Sequence, residues 1–513
     1  MLLAEVVETS RRVAATRARK EKVEQLADLL RRAPPGAIEA IVAMLAGELR
    51  QGKIGLGGAA IHPLRVAPAA TAALRVAEVD QVFTEIAGQA GAGSQGRRAN
   101  GFQQLLGRAT EPEQDFLRRL VVGELRQGAL QGLVIEGVAR ATAIPAASVR
   151  RAVMLRGALA PVAVAALTRG AAGLAAFSLQ PLRFVQPMLA QSADSVAEAV
   201  ERLDDAALEW KIDGARVQVH RVDEEIAVFS RTGKNVSAAV PEVVEAVRGL
   251  SARQLVLDGE VIALRADGRP RPFQETMRRF GRRLDVARLR AELPLTPFFF
   301  DVLHADGVDV LDACTADRAE RLAELVAGSQ RVPRLVSADA GAAAAFLEDA
   351  LAQGHEGVMA KALRAPYEAG RRGAAWLKVK PVRTVDLVVI AAEWGSGRRR
   401  GRLSNLHLGA RDPQSGGFAM VGKTFKGMTD EMLAWQTERF LALALGRERH
   451  VVHVRPEVVV EIAFDGVQRS SHYESGLALR FARVKSYRTD KRAADADPID
   501  ALRALLAPAS ASP

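Results

Sequence analysis

The stretch EWKIDGARVQVHR, residues 209–221, sets an amine between two carboxylates. On an extended strand side chains alternate between faces, so Glu209, Lys211 and Asp213 share one side while Trp210 and Ile212 take the other. Gly214 then lets the backbone turn or approach a ligand closely. Beyond it Arg216, Gln218 and His220 form a second polar row opposite Val217 and Val219. A lysine amine bonds to phosphorus or carbon only once it has lost its proton, which an ordinary pKa of about 10.4 makes rare at neutral pH. A site built on Lys211 therefore needs desolvation or nearby cations to release that proton. The simpler reading of the same residues is a half-buried strand with a solvated charged face.

Cations are available downstream. WLKVKP places Trp376, Lys378 and Lys380 on one strand face and Leu377 and Val379 on the other, so two ammonium groups are expected to point into a common cleft. Arg231 in SRTGK and Arg372 in GRRGAAW are further candidates for phosphate contact. Taken singly, each of these is an ordinary surface cation. Carboxylates for a hard metal come from LVLDGEVIAL, with Asp258 and Glu260, and from HEGVMAK, with Glu356. Magnesium typically takes one or two carboxylates together with phosphate oxygens. A carboxylate inside an apolar run is costly unless paired or metal-bound, which singles out Glu260. PFFFDVL has the pattern of a buried strand, in which Phe300 either packs in the core or stacks on a base.

Three regions must position these residues within the 513-residue chain. Up to about residue 180 the pattern is helical, with apolar residues at three- and four-residue spacing over Val23 to Leu30 and Phe116 to Leu125. The Gly, Ala and Ser run from Ala90 to Gly101 reads as a loop. From 181 to 382 short strands alternate with helical stretches, the pattern of an α+β domain. From 383 to 513 short β-rich runs and basic loops suggest a small β-barrel or sandwich.

Charge divides unevenly between the three. Residues 1–180 hold 23 Lys and Arg against 15 Asp and Glu, a net of +8, whereas 181–382 carry a net of −2 and 383–513 a net of +5. Basic surfaces of this kind attract polyanions through counterion release, so nucleic acid is the leading partner and acidic lipid the second. Cys314 is the only cysteine, which excludes a disulfide framework and a multi-thiolate zinc site and suggests a reducing compartment. No apolar run reaches the roughly 18–20 residues of a membrane span, and the N-terminus lacks the apolar stretch of a signal peptide.

The motifs KxDG, SRTG, DGE, FFFDVL, EGVMAK, WLKVK and RFARVKSYRTDK follow one another in this order. In that order they resemble the covalent nucleotidyltransferases, specifically the ATP-dependent DNA ligases. The likeness extends over the chain, since the helical region is similar to the DNA-binding domain of the archaeal, actinobacterial and eukaryotic replicative members. The resemblance implies an all-α N-terminal DNA-binding domain (1–180), an α+β adenylation domain (181–382) and a C-terminal OB-fold β-barrel (383–513).

By the same resemblance Lys211 would carry AMP and Glu209 would contact the adenine amino group. Arg216, Arg231 and Arg372 would hold ribose and phosphates, Phe300 would stack on adenine, and Glu260 would contact ribose or metal. Glu356 resembles the second metal-linked carboxylate, and Lys378 and Lys380 the pair that neutralises the α-phosphate. Arg480 and Arg483 resemble the segment that orients the leaving pyrophosphate, although Ala482 stands where a proline is common. The implied substrates are ATP and nicked duplex DNA, with Mg2+ or Mn2+. A monomer in the cytoplasm, associated with the nucleoid, is the expected setting. An RNA ligase or a capping guanylyltransferase would share the lysine but leaves the helical region unexplained. An NAD-dependent ligase would want a four-cysteine zinc module, and a bare DNA-binding protein would not need the reactive residues.

Overall fold

The computed structural model describes residues 1–125, 131–282, 284–368, 372–396 and 399–506, with the backbone alone at Arg372 and Gly373. They pack as two compact units, one of Met1–Arg271 with Thr276–Val379, the other of Pro272–Glu275 with the chain from Lys380 onward.

The first unit begins with helices whose apolar faces make one core. In the helix Leu3–Ala15 the buried residues Leu3, Val6, Val7, Ser10 and Val13 recur every three or four positions, the spacing that lines one face. The helix Glu111–Val122 starts at a capping box, in which the Glu113 carboxylate accepts from the Thr110 backbone N–H at 2.8 Å, and it stops at Gly123, left-handed at φ 71°. The segment read as a loop is mostly helix, Ser94–Gly107, because Phe102, Leu105 and Leu106 bury on its inner face. The turn itself is confined to the residues before it, where Gly91 and Gly93 take positive φ. Among the described residues no helix is long and apolar enough to cross a membrane.

Two sheets follow in the same unit. The first has the order β1-β10-β9-β2-β8, from Leu189–Ala193 (β1), Ala206–Trp210 (β2), Arg334–Val336 (β8), Val358–Ala362 (β9) and Arg372–Val379 (β10). The second is antiparallel in the order β4-β3-β5-β6-β7, from Ala215–Val222 (β3), Glu225–Ser230 (β4), Gln254–Ala263 (β5), Leu295–Ala305 (β6) and Val308–Asp309 (β7). The helices and sheets share a core in which Met154, Leu155 and Leu179 pack with Leu303, Leu311, Tyr367 and Trp376. A buried ion pair, Arg318 Nε to Asp301 Oδ1 at 2.8 Å, ties the helix Thr315–Leu325 to β6.

The second unit is an antiparallel sheet with the helix Asp430–Ala442 packed on it. Its order is β13-β12-β11-β15-β14, from Arg383–Trp394 (β11), Leu403–Arg411 (β12), Phe418–Thr424 (β13), Ala444–Glu448 (β14) and Val451–Val454 (β15). Val459–Phe464 (β16) pairs with β11 and with Arg483–Tyr487 (β19), and Gly466–Arg469 (β17) pairs with Leu477–Arg480 (β18). These pairings give an antiparallel, OB-like sheet domain, but among the described residues they do not close a barrel.

Candidate active site

Lys211 stands at the crossing between the two sheets of the first unit. Strand β2 ends at Trp210 and β3 begins at Ala215 in the other sheet, so KIDG is a crossover rather than the middle of one strand. The expected shared face of Glu209, Lys211 and Asp213 is therefore broken, although the backbone stays tied down. Lys211 N–H donates to the Gly357 carbonyl at 2.8 Å, and Glu356 N–H donates to the Lys211 carbonyl at 3.0 Å. These bonds set Glu356 beside the amine, and its carboxylate is ion-paired with Lys211 Nζ. Gly214 is required by closeness, since a Cβ there would lie 2.5 Å from the Val261 carbonyl oxygen. No L side chain fits without moving β5.

Glu209 turns away from Lys211. It is buried and pairs with Lys361 Nζ at 2.6 Å, with Arg334 at 3.7 Å. Lys361 also donates to the Phe300 carbonyl at 3.2 Å and lies 4.6 Å from the Phe300 ring centre and 4.4 Å from that of Trp376. Phe300 meets Trp376 edge-on at 6.1 Å and is half-buried.

The polar row on β3 is present, with Gln218 and His220 buried and Arg216 half-buried. Gln218 bonds both ways with Val185, accepting from its N–H at 2.8 Å and donating to its carbonyl at 3.1 Å. His220 Nδ1 accepts from the Leu182 N–H at 3.1 Å, and burial pushes this imidazole down to about 3, so it is neutral. The row serves the backbone of the segment leading into β1. Arg216 makes a two-pronged pair with Asp258, at 3.1 and 2.5 Å, which uses the carboxylate that the sequence offered to a metal. Its guanidinium lies 5.4 Å from the Phe300 ring centre.

Glu260 is directly across from Arg216 in the β3–β5 register. Burial pushes its carboxyl up to about 8 from the ordinary 4.5, against the pull of Lys211 and Arg216 and with a push from Asp258 and Asp213. A carboxyl raised by folding holds its proton more tightly in the native state. The resulting stability is fully present below about 4.5 and is lost as pH rises to about 8. Urea midpoints of the wild type should accordingly fall more between pH 5 and 8 than those of Glu260→Gln; parallel curves would contradict this environment for the carboxyl.

The remaining candidates are placed as follows. Arg231 is exposed in the turn after β4, and the Arg372 side chain lies outside the described residues. Lys378 is half-buried on β10, and Lys380 lies one residue past that strand's end. In the second unit Lys380 pairs with Asp465 at 3.0 Å, and Arg483 reaches the same carboxylate at 3.3 Å. These two cations outweigh the effect of burial and hold the Asp465 carboxyl below its usual range. Arg480 ends β18, followed by Phe481 at φ 54° and by buried Ala482, whose carbonyl accepts from the Thr424 hydroxyl at 2.6 Å.

Among the described residues no three His, Cys, Asp or Glu side chains gather as a ready metal site. Sequence reasoning missed Tyr367 and the Lys361 pairing with Glu209, because a tyrosine after Pro366 and a lysine within a short strand carry no local sign of their partners.

A model described as "ATP dependent DNA ligase domain" matches residues 187–380, one described as "ATP dependent DNA ligase C terminal region" matches 399–491, and "DNA ligase N terminus" matches 59–139. A protein named "Probable DNA ligase" from Anaeromyxobacter sp. (strain Fw109-5) is 62% identical over 508 residues, which is 98% of each chain. Another of that name from Mycolicibacterium gilvum (strain PYR-GCK) is 57% identical, over 98% of this chain and 99% of its own. The solved structure "Pmar-Lig_Pre." shares the fold with a TM-score of 0.65 at 18% identity, over 94% of this chain and 99% of its own. Three ligase models in sequence order, and relatives matched nearly end to end, establish that the chain is an enzyme of the ATP-dependent DNA ligase family.

Proposed function

We propose that the protein seals nicks in duplex DNA by three phosphoryl transfers, with Lys211 as the carrier of AMP. The observation that supports this most directly is an amine fixed at a crossover between two sheets, with Glu356 on its nitrogen. In the first transfer the Lys211 nitrogen bonds to the α-phosphorus of ATP, the bond to pyrophosphate breaks, and the amine gives up its proton. In the second, the 5′-phosphate of the nick attacks the same phosphorus and frees the lysine. In the third, the 3′-hydroxyl attacks the activated 5′-phosphate and AMP leaves. Catalysis of this kind rests on positioning and on positive charge around the phosphates.

The cations to supply that charge are Arg216, Arg231, Arg372, Lys378, Lys380, Arg480 and Arg483. Phe300 and Glu209 would take the adenine. Glu260 and Glu356 suit a divalent metal such as Mg2+ or Mn2+: a carboxyl pushed up by burial regains its charge beside a cation, and two carboxylates plus phosphate oxygens make a typical magnesium set. When bound, the metal would neutralise charge on the phosphates. The working parts would be a DNA-binding region (1–180), an adenylation region (181–382) and an OB-fold region (383–513), acting as a monomer in the cytoplasm at the nucleoid. Replication, repair or recombination would use the activity.

Sealing of a nicked duplex with ATP and magnesium, run beside NAD and beside a nicked RNA duplex, tests the reading. Joining of DNA with ATP alone is expected. Joining only with NAD, or only of RNA, would overturn it.

A further inference from the structure

The buried hydroxyl of Tyr367 closes a ring of hydrogen bonds behind the site. It donates to Asp258 Oδ2 at 2.7 Å and accepts from the Met188 backbone N–H at 3.0 Å. Arg216 holds the same two groups from the other side. Its Nε and Nη2 reach the two oxygens of Asp258, and its Nη1 donates to the Met188 carbonyl at 2.7 Å. Four separate stretches of chain thus meet through one carboxylate and one residue's backbone.

The ring also fixes how much of the guanidinium is left for a ligand. Arginine has five N–H donors in a rigid plane. Three go to Asp258 and Met188, and the second hydrogen on Nη2 faces the Tyr367 oxygen at 3.4 Å. One N–H on Nη1 then remains without a protein partner among the described residues. Which N–H stays open depends on the tyrosine oxygen, since without it Nη2 has a loose proton and Asp258 has lost its second anchor.

We infer that Tyr367 is a positioning residue of the nucleotide site, orienting Arg216 so that one guanidinium N–H is presented to bound ATP. This rests on the reading of Arg216 as a nucleotide contact. The phenol ring is held independently, edge-on to Trp376 at 5.8 Å and 5.8 Å from the Arg318 guanidinium, so Tyr367→Phe keeps the packing and removes only the oxygen.

The test measures KM and kcat for lysyl-AMP formation by the full chain with ATP and magnesium. It compares wild type with Tyr367→Phe, Arg216→Lys and the double variant. Hydrogen bonds to charged groups are worth roughly 10- to 100-fold in an equilibrium, so Tyr367→Phe is expected to raise the KM for ATP about 10-fold, with kcat changed less than about twofold. In the double variant the tyrosine change should add nothing to Arg216→Lys, because both break one unit. Asp258→Asn, which opens the same ring at another corner, should also raise KM. If Arg216→Lys raises KM but Tyr367→Phe does not, or if the two effects multiply, the inference about Tyr367 fails while the nucleotide role of Arg216 stands. If Arg216→Lys leaves KM unchanged, the nucleotide reading of Arg216 fails, and the inference with it.

Discussion

Replacing Lys211 with alanine should abolish the covalent AMP adduct and with it the sealing of nicks from ATP. The amine is the atom that would bond to phosphorus, and two other lysines are already engaged: Lys361 is buried against Glu209, and Lys380 is taken by Asp465. The fold should survive, since Lys211 is held by its backbone bonds to Gly357 and Glu356, which alanine keeps. The Glu356 carboxylate is partly open to water, so loss of the ion pair can be offset by solvation. Two properties should therefore remain: binding to nicked DNA, and the joining of a nick that already carries a 5′-adenylate, a step that forms no bond to the lysine. Adduct formation by the alanine variant, detected with labelled ATP, would remove Lys211 from its assigned role.

The second large effect is expected from salt. Residues 1–180 and 383–513 carry nets of +8 and +5, and a nick has no sequence of its own to be read. Recognition must then lean on phosphates, each of which contributes a slope of about −0.9 to log K against log salt. With six or more phosphate contacts, affinity for a nicked duplex should fall about 10³-fold or more between 50 and 200 mM salt. A flat dependence in a binding titration would contradict the view that the basic excess of these two regions serves DNA.

The motifs of the site were legible in the sequence, but the reasons for their residues were not always the ones alternation suggests. Polar and apolar residues alternate through EWKID, and again in the opposite phase after Gly214, while the chain leaves one sheet and enters another between them. Periodicity reports faces, not strand partners, so it marks a turn at Gly214 without showing that the two halves join different sheets. Gly214 belongs to a motif that reads as a ligand turn, while its necessity comes from the carbonyl of Val261, 47 residues away in the chain. Arg216, Gln218 and His220 were legible as polar. That Gln218 and His220 would be buried, and that all three would bond backbone groups of residues 182–188, could not be seen, because those groups lie about thirty positions away in the chain.

The same limit explains two differences in the fold. Composition alone made Ala90 to Gly101 a loop, whereas burial of Phe102, Leu105 and Leu106 pays for a helix through glycine-rich sequence. Short β-rich runs pointed to a barrel at the C-terminus, but closure depends on pairing between distant strands, and the described pairings leave the sheet open. Tyr367 had no local signal at all. Its importance lies in a bond to Asp258, 109 positions away.

The most direct measurement is peptide mass spectrometry of the protein after exposure to ATP and magnesium. The account predicts one added adenylate, located on the Lys211 side chain and lost when nicked DNA is supplied. An adenylate on any other residue, or none, would contradict it.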